Sequence, residues 1–449
     1  MKILKNAIRK ITPKFMYDKY RDKHYYKKYT NKHNKKVNIY KNIHHKLKID
    51  NPKKVSVIIP NYNYKKYLKE RIDSILFQTY PVYEIIILDD CSTDDSITLI
   101  KDIIEKNKNE NIKLIENKIN SGSVFSQWQK GFENATGDFV WIAEADDSCN
   151  PKFLENVIKP FDDKDVVISY CESMRMDENN VIQNIACRDW NFIISDVRWN
   201  NSYVKTGEEE IKEALSIMNT IVNVSAVIFR NNNPKRIIDI LENAKEYKMS
   251  GDWYTYYSIL KKGKIAYNSK SLNYFRKHSN STSISASREL EIKELLMIQK
   301  EIRDNYILNS EQLYRQQIRY ENIINLLSDE TKRKYKKMMV PKIKWVFNSS
   351  IKECKNIDIV MDVANYLVKR QYVCDLYFDD ELEEVNKIKE NDSLFGLYSI
   401  KNTNKEYDIS ITSENNTNDK EMIIFDIESK DVENEANRLK KVVDKEFYK

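Results

Sequence analysis

At 449 residues the chain is too long for one ordinary domain, and its 41% hydrophobic content is enough to bury more than one core. Residues 1–50 hold sixteen of the 75 basic residues and three of the 68 acids, so this arm carries +13 of the net +7 and the remainder sums to −6. A mildly acidic body excludes a nucleic-acid-binding protein of the ordinary basic kind, and no run of 18 apolar residues suggests a membrane-spanning helix.

In chain order, the arm opens with Ile3, Leu4, Ala7, Ile8 and Ile11 at helical spacing among lysines and arginines, with Pro13 as a stop. Such a stretch suits peripheral contact with an anionic membrane surface; a disordered basic tail fits it equally. The N-terminus lacks the apolar core of a secretory signal. The six cysteines form no CxxC or zinc spacing, which points to reduced thiols in a cytoplasmic protein.

Order begins at Val55–Pro60, an apolar run predicting a buried strand. A helix follows over Tyr67–Phe77, a strand over Glu84–Asp90 and a helix over Ser96–Ile104. Next come a strand at Lys113–Ile115, a helix over Gly122–Asn134 and a strand over Asp138–Ala143. Short links between alternating elements predict an α/β fold with a mostly parallel sheet covered by helices. Beyond it, Val166–Tyr170 and Val224–Phe229 read as strands, and Ile211–Met218 and Trp253–Leu260 as helices. The chain divides into the arm 1–50, a domain over 51–285, a helical linker over 286–340 and a small Rossmann-like α/β domain over 341–449.

Glu144-Ala145-Asp146-Asp147 places three carboxylates at the end of a buried strand. Acids are depleted from strands, so a cluster there either holds a positive charge or closes the strand as a solvated turn. There is no GxGxxG and no P-loop, which argues against a dinucleotide or Walker-type site.

Four separated motifs occur in order: Val57-Ile58-Ile59-Pro60-Asn61-Tyr62-Asn63, Leu88 to Ser96 with its Asp89-Asp90 pair, Asn120-Ser121-Gly122, and Ala135-Thr136-Gly137-Asp138 leading into Glu144–Asp147. Over residues 54–283 this resembles the family 2 glycosyltransferases. The resemblance implies a GT-A fold, a nucleotide-diphosphate sugar donor with UDP as the default, Mn²⁺ or Mg²⁺, and inversion at the anomeric carbon. It also implies surface-polysaccharide synthesis on a glycan or lipid-linked acceptor. Pro60, Asn61, Tyr62, Asp90, Asn120, Gly122, Glu144, Ala145, Asp146 and Arg276 would then bind the donor. Asp146, Asp147 and His278 would bind the metal, which neutralises the leaving diphosphate. Ser250-Gly251-Asp252-Trp253 stands where the family carries its catalytic acid motif, usually Glu-Asp. Asp252 is then the expected base and Trp253 an acceptor-stacking face. The bland readings are that Asp90 caps a helix, that Trp253 belongs to the core and that His278 is structural. Two other functions compete: a nucleotidylyltransferase, whose early glycine-rich loop is missing here, and a non-catalytic carbohydrate-binding scaffold.

The region from Lys344 through Asp358–Lys369 to Tyr377 weakly resembles the opening half of a GT-B glycosyltransferase. The length supplies one such half, which implies an accessory module.

Overall fold

The computed structural model describes residues 35–36, 46–278, 287–324, 327–336, 338–347, 357–378, 395–399, 409–412, 422–424, 437–441 and 444. The amphipathic stretch at 3–11 and the end of the Phe275–Ser281 segment lie outside them. The described residues fall into two compact units, one within 22–215 and 219–287, the other within 216–218 and 288–449.

The first unit starts with β1 (Val55–Asn61), α1 (Lys65–Leu76), β2 (Glu84–Asp89), α2 (Ser96–Lys106), β3 (Ile112–Glu116), α3 (Val124–Asn134) and β4 (Phe139–Ile142). These strands are parallel in the order β3-β2-β1-β4. Every residue of β1, β2 and β4 is buried, and alternate side chains face opposite ways, so both faces of the sheet are covered. That is why they read as unbroken apolar runs rather than alternating ones. The order reverses between β1 and β4, and a crevice opens at the carboxyl ends of such a pair. β4 ends opposite Ile58, three residues before β1 ends, so the acidic turn forms below the loop that follows β1.

The sheet continues through β9 (Val227–Arg230), antiparallel to β4, then β6 (Val166–Asp177) and β7 (Val181–Ala186). The strand β10 (Lys264–Lys277) runs parallel to β6 for its whole length, while β5 (Ser148–Cys149) and β8 (Tyr203–Thr206) lie antiparallel to β10. Lys35–Lys36 add a two-residue strand to β7. The shorter helices are α4 (Phe153–Val157) and α5 (Gly207–Glu210); α6 (Pro234–Ala244) and α7 (Gly251–Leu260) complete the unit.

Two expectations shift. The strand predicted over Val224–Phe229 begins only at Val227, because Val224–Ala226 form a 3₁₀ turn that turns Ser225 toward the acidic residues. The helix predicted over Ile211–Met218 is a π-turn at Ile211–Leu215 continuing α5, which Thr206 caps by accepting from the Glu209 amide. Arg276, for which no element is predicted from sequence, lies at the end of a fourteen-residue strand.

The second unit holds α8 (Arg288–Asn305), α9 (Ser310–Ile324) and α10 (Asp329–Lys336). They precede β11 (Lys342–Phe347), α11 (Ile357–Lys369), β12 (Val373–Phe378), β13 (Gly396–Ser399), β14 (Ile409–Thr412) and β15 (Met422–Ile424). The five strands are all parallel in the order β13-β12-β11-β14-β15, a Rossmann-like arrangement with its own reversal between β11 and β14. No helix among the described residues is long and apolar enough to cross a membrane. The described cysteines are unpaired.

Ile87 lies at the centre of β2, fully buried in the core. Ile87→Ala is expected to cost about 2–5 kcal/mol in urea unfolding; a loss under about 1 kcal/mol would contradict its burial.

Candidate active site

The acidic turn is built by its neighbours. Ala143 donates its amide to the Ile58 carbonyl (2.8 Å), which ends β4 against β1 and aims the next four residues into the crevice. Ser225 joins two of them: its Oγ accepts from the Glu144 amide (3.1 Å) and donates to Asp147 Oδ2 (2.6 Å).

The three carboxylates have different surroundings. Glu144 Oε1 accepts from Trp128 Nε1 on α3 (3.0 Å), and burial, then the Asp146 charge, pushes its carboxyl up to about 8. Asp147 is fully engaged inside the fold. Its Oδ1 accepts from the Arg276 amide (2.9 Å), and its Oδ2 from Asn223 Nδ2 (2.8 Å) as well as Ser225. Burial and then Asp146 raise it to about 6. Asp146 alone faces a metal-ligating partner: its Oδ2 lies 2.9 Å from His278 Nε2. His278 sits just beyond β10, with the rings of Tyr64 (5.7 Å, edge-on) and Tyr67 (5.3 Å) packed against it.

Two buried guanidinium groups flank this cluster. Arg71 on α1 is fully buried over the Trp141 ring (4.9 Å), and its charge opposes the rise at both Glu144 and Asp147. Arg276 is also fully buried. It donates from Nε to the Asp146 carbonyl (2.6 Å), from Nη1 to the Asp177 carbonyl (3.1 Å) and Asn180 Oδ1, and from Nη2 to Glu70 (3.0 Å). Its plane lies over Tyr67 (4.7 Å). Arg276, expected to bind the donor, instead has its Nε, Nη1 and Nη2 engaged inside the fold, Nε on the acidic turn itself.

On the other side of the crevice, Pro60 and Asn61 belong to β1 and are buried, and the turn starts at Tyr62, 48% exposed. Asn61 Nδ2 donates to Asp89 (2.7 Å), whereas its buried Oδ1 has no hydrogen-bond partner among the described residues. Asp90 neither caps α2, whose N-cap is Asp95, nor stands open. Its carboxylate accepts from Asn117 Nδ2 (2.6 Å) and from the amide and hydroxyl of Ser121 (2.9 and 2.7 Å). Asn120 donates to the Asp90 carbonyl (3.0 Å) and accepts from the Gly122 amide (2.8 Å). Gly122 takes φ +68°, a left-handed conformation that glycine adopts without strain. Hydrogen bonds thus tie Asp90 to the loop after β3 that holds Asn120 and Gly122. Ala145 is corrected: its side chain is buried in the core.

Asp252 stands at the start of α7, half-buried, accepting from Asn219 Nδ2 (2.9 Å) and from the Trp253 amide (2.7 Å). One turn on, the buried Tyr256 phenol is held protonated by burial and then by the Asp252 and Glu144 charges, which places it in the field of both. Trp253 is 3% exposed and donates to the Leu215 carbonyl (3.0 Å). It is a core residue and offers no face to a sugar. The departure at Gly251 has a steric cause, since a Cβ there would lie 2.5 Å from the Phe125 ring and 2.8 Å from the Ala244 carbonyl.

Trp128, Asn223, Ser225, Tyr64, Tyr67, Arg71 and Asn219 were not singled out from sequence. Trp128 reads as one more apolar residue of an amphipathic helix, and isolated polar residues carry no periodic signal. A usable clue was the Asn223-Val224-Ser225 pattern, with two polar side chains flanking one apolar residue at the mouth of a strand.

Residues 56–210 match the model of Glycosyl transferase family 2. An uncharacterised glycosyltransferase of Haemophilus influenzae is 30% identical over 232 residues, covering 51% of this chain and 67% of that protein. The poly(ribitol-phosphate) β-N-acetylglucosaminyltransferase TarS of Staphylococcus aureus is 35% identical over 106 residues, covering 23% of this chain and 18% of TarS. The crystal structure of S. aureus TarS 1-349 in complex with UDP-GlcNAc aligns at a TM-score of 0.46 and 20% identity, over 64% of this chain and 79% of that one. The chain thus spans two thirds of the Haemophilus protein but under a fifth of TarS. With the family match, the α/β sheet and its acidic turn are those of a GT-A-type transferase domain. The chain belongs to glycosyl transferase family 2.

Gly251→Ala is expected to destabilise the protein by about 1–3 kcal/mol, since Phe125 and a backbone carbonyl leave no room for a methyl. Urea unfolding checks this; a neutral result would remove the steric account of this position.

Proposed function

We propose that the chain transfers a sugar from a nucleotide-diphosphate donor to a glycan or lipid-linked acceptor, with inversion and with a divalent cation, in the synthesis of a surface polysaccharide. The observation that carries this reading is the Asp146–His278 pair, 2.9 Å apart at the reversal point of the sheet. A carboxylate oxygen and an imidazole nitrogen suit Mn²⁺ or Mg²⁺ completed by diphosphate oxygens and water. Among the described residues no three metal-ligating side chains converge. Asp147, spent on three internal donors, supports the turn instead of the ion. When bound, the cation would offset the charge of the leaving diphosphate.

The chain's own residues supply the rest. Exposed Tyr62 and the unpartnered Asn61 oxygen face the nucleoside in this reading. Asp252 takes the proton of the attacking hydroxyl, and Asn219 holds its carboxylate. The names of the relatives favour a UDP-linked N-acetylhexosamine as the first donor to try. Peripheral membrane contact through residues 1–50 and an accessory role for the second unit remain part of this proposal.

The test is nucleoside diphosphate release from UDP-GlcNAc, UDP-glucose, UDP-galactose and GDP-mannose, with Mn²⁺ or Mg²⁺ and with EDTA. Release from one donor is expected, and EDTA abolishes it. Asp146→Asn, His278→Ala and Asp252→Asn should each lower kcat by about 100-fold or more with unfolding unchanged. Undiminished turnover in EDTA would exclude the cation, and near-normal activity of Asp252→Asn would exclude it as the base. Asp147→Asn is expected instead to lower stability, by about 1–3 kcal/mol, because it disturbs the pairing of buried donors.

A further inference from the structure

A small cavity lies one side chain away from the acidic turn. Its walls include Tyr170, Trp199 and Tyr267, with Asn191, Thr220 and Asn223 between them. Asn223 is the partition, since the same side chain donates to Asp147. The half-buried Cys187 and Arg188 also line it.

The three aromatic residues have satisfied their polar atoms on one another and on neighbours. Trp199 Nε1 donates to the Tyr170 hydroxyl (3.0 Å), and the Tyr267 hydroxyl donates to Glu172 (3.0 Å). What they leave to the cavity is carbon surface. Asn191 and Thr220 differ. Each is 2% exposed, and among the described residues neither Asn191 Oδ1 nor Thr220 Oγ1 has a hydrogen-bond partner. Asn191 Nδ2 donates to the Thr220 carbonyl (3.0 Å), which ties the two residues together. A buried polar atom without a partner is costly, so two of them on residues that line one space call for an occupant that can both donate and accept. The free volume is about 20 Å³, room for a single group the size of a water molecule. A hydroxyl meets all three demands: it donates to the Asn191 carbonyl oxygen, accepts from the Thr220 hydroxyl and fits the space.

We propose that this cavity is a specificity subsite that takes one exocyclic hydroxyl of a pyranose, read by Asn191 and Thr220. The proposal rests on the glycosyl-transfer reading above. The sugar that supplies the hydroxyl is either the donor's or the acceptor's, and the chemistry of recognition is the same.

Thr220→Val preserves shape and removes the hydroxyl, and Thr220→Ser restores it. Wild type and variants are compared for nucleoside diphosphate release with the accepted donor and its 4-deoxy and 6-deoxy forms. The first series omits any acceptor, and the second adds methyl glycosides and their deoxy counterparts. Thr220→Val is expected to lower kcat/KM about tenfold for the hydroxylated sugar and less than twofold for one deoxy form, with Thr220→Ser recovering most of the loss. Discrimination without acceptor assigns the donor sugar, and discrimination only in the second series assigns the acceptor. Equal effects on hydroxylated and deoxy sugars in both series overturn the proposal and leave the cavity to a structural water. If wild type releases nothing from any nucleotide sugar, the transferase reading is what has failed. Saturation-transfer NMR with the same methyl glycosides then decides the cavity: binding weakened by Thr220→Val upholds it, and unchanged or absent binding overturns it.

Discussion

Three carboxylates in four residues are packed where water reaches them poorly, and much of the first unit is arranged around balancing that charge. Burial, and then the Asp146 charge, lifts Glu144 to about 8 and Asp147 to about 6. Two guanidinium groups that cannot shed their protons are buried beside them. The Arg71 charge opposes the rise at both carboxyls, whereas Arg276 pairs with Glu70 and braces the turn through its amide to Asp147 and its Nε to the Asp146 carbonyl. Removing Arg71 would leave the buried carboxyls without that offset, a costly state for any fold.

The balance also divides labour within the turn. Asp147 is saturated by Asn223, Ser225 and the Arg276 amide, and Glu144 is held by Trp128, so Asp146 with His278 is the member with a ligating geometry. The helix α3 links this division to the candidate base: Trp128 reaches Glu144, while its ring neighbour Phe125 occupies the space beside Gly251. A side chain at 251 could not coexist with Phe125 in this position.

The parallel half of the sheet was readable because strands buried on both faces must be apolar throughout, and β1, β2 and β4 are. The antiparallel half was harder. β10 mixes tyrosine, asparagine and lysine, since it serves a sheet on one stretch and the acidic turn on another. Residue chemistry also misled where burial decides the role. Trp253 and Arg276 look like sugar and phosphate contacts by type, yet both are enclosed, and nothing local in sequence distinguishes an enclosed arginine from an exposed one. The Asp146–His278 contact spans 132 positions and was anticipated only through the family resemblance. Asn191, Thr220, Asn223 and Ser225 come together solely through the tertiary fold.

The irregular pairing of β10 has an evolutionary consequence. Its register against β6 slips between Asn268 and Ser271 and again before Asn273, and regular pairing resumes from Asn273 to Lys277. The slip lies around the half-buried Ser269 and the exposed Lys270 within the strand. Length changes there can be absorbed before the strand reaches Arg276 and His278. Changes in length are confined to that stretch, because Ile265, Ala266 and Tyr267 before it are core residues and Asn273–Lys277 after it stay in register beside the acidic turn.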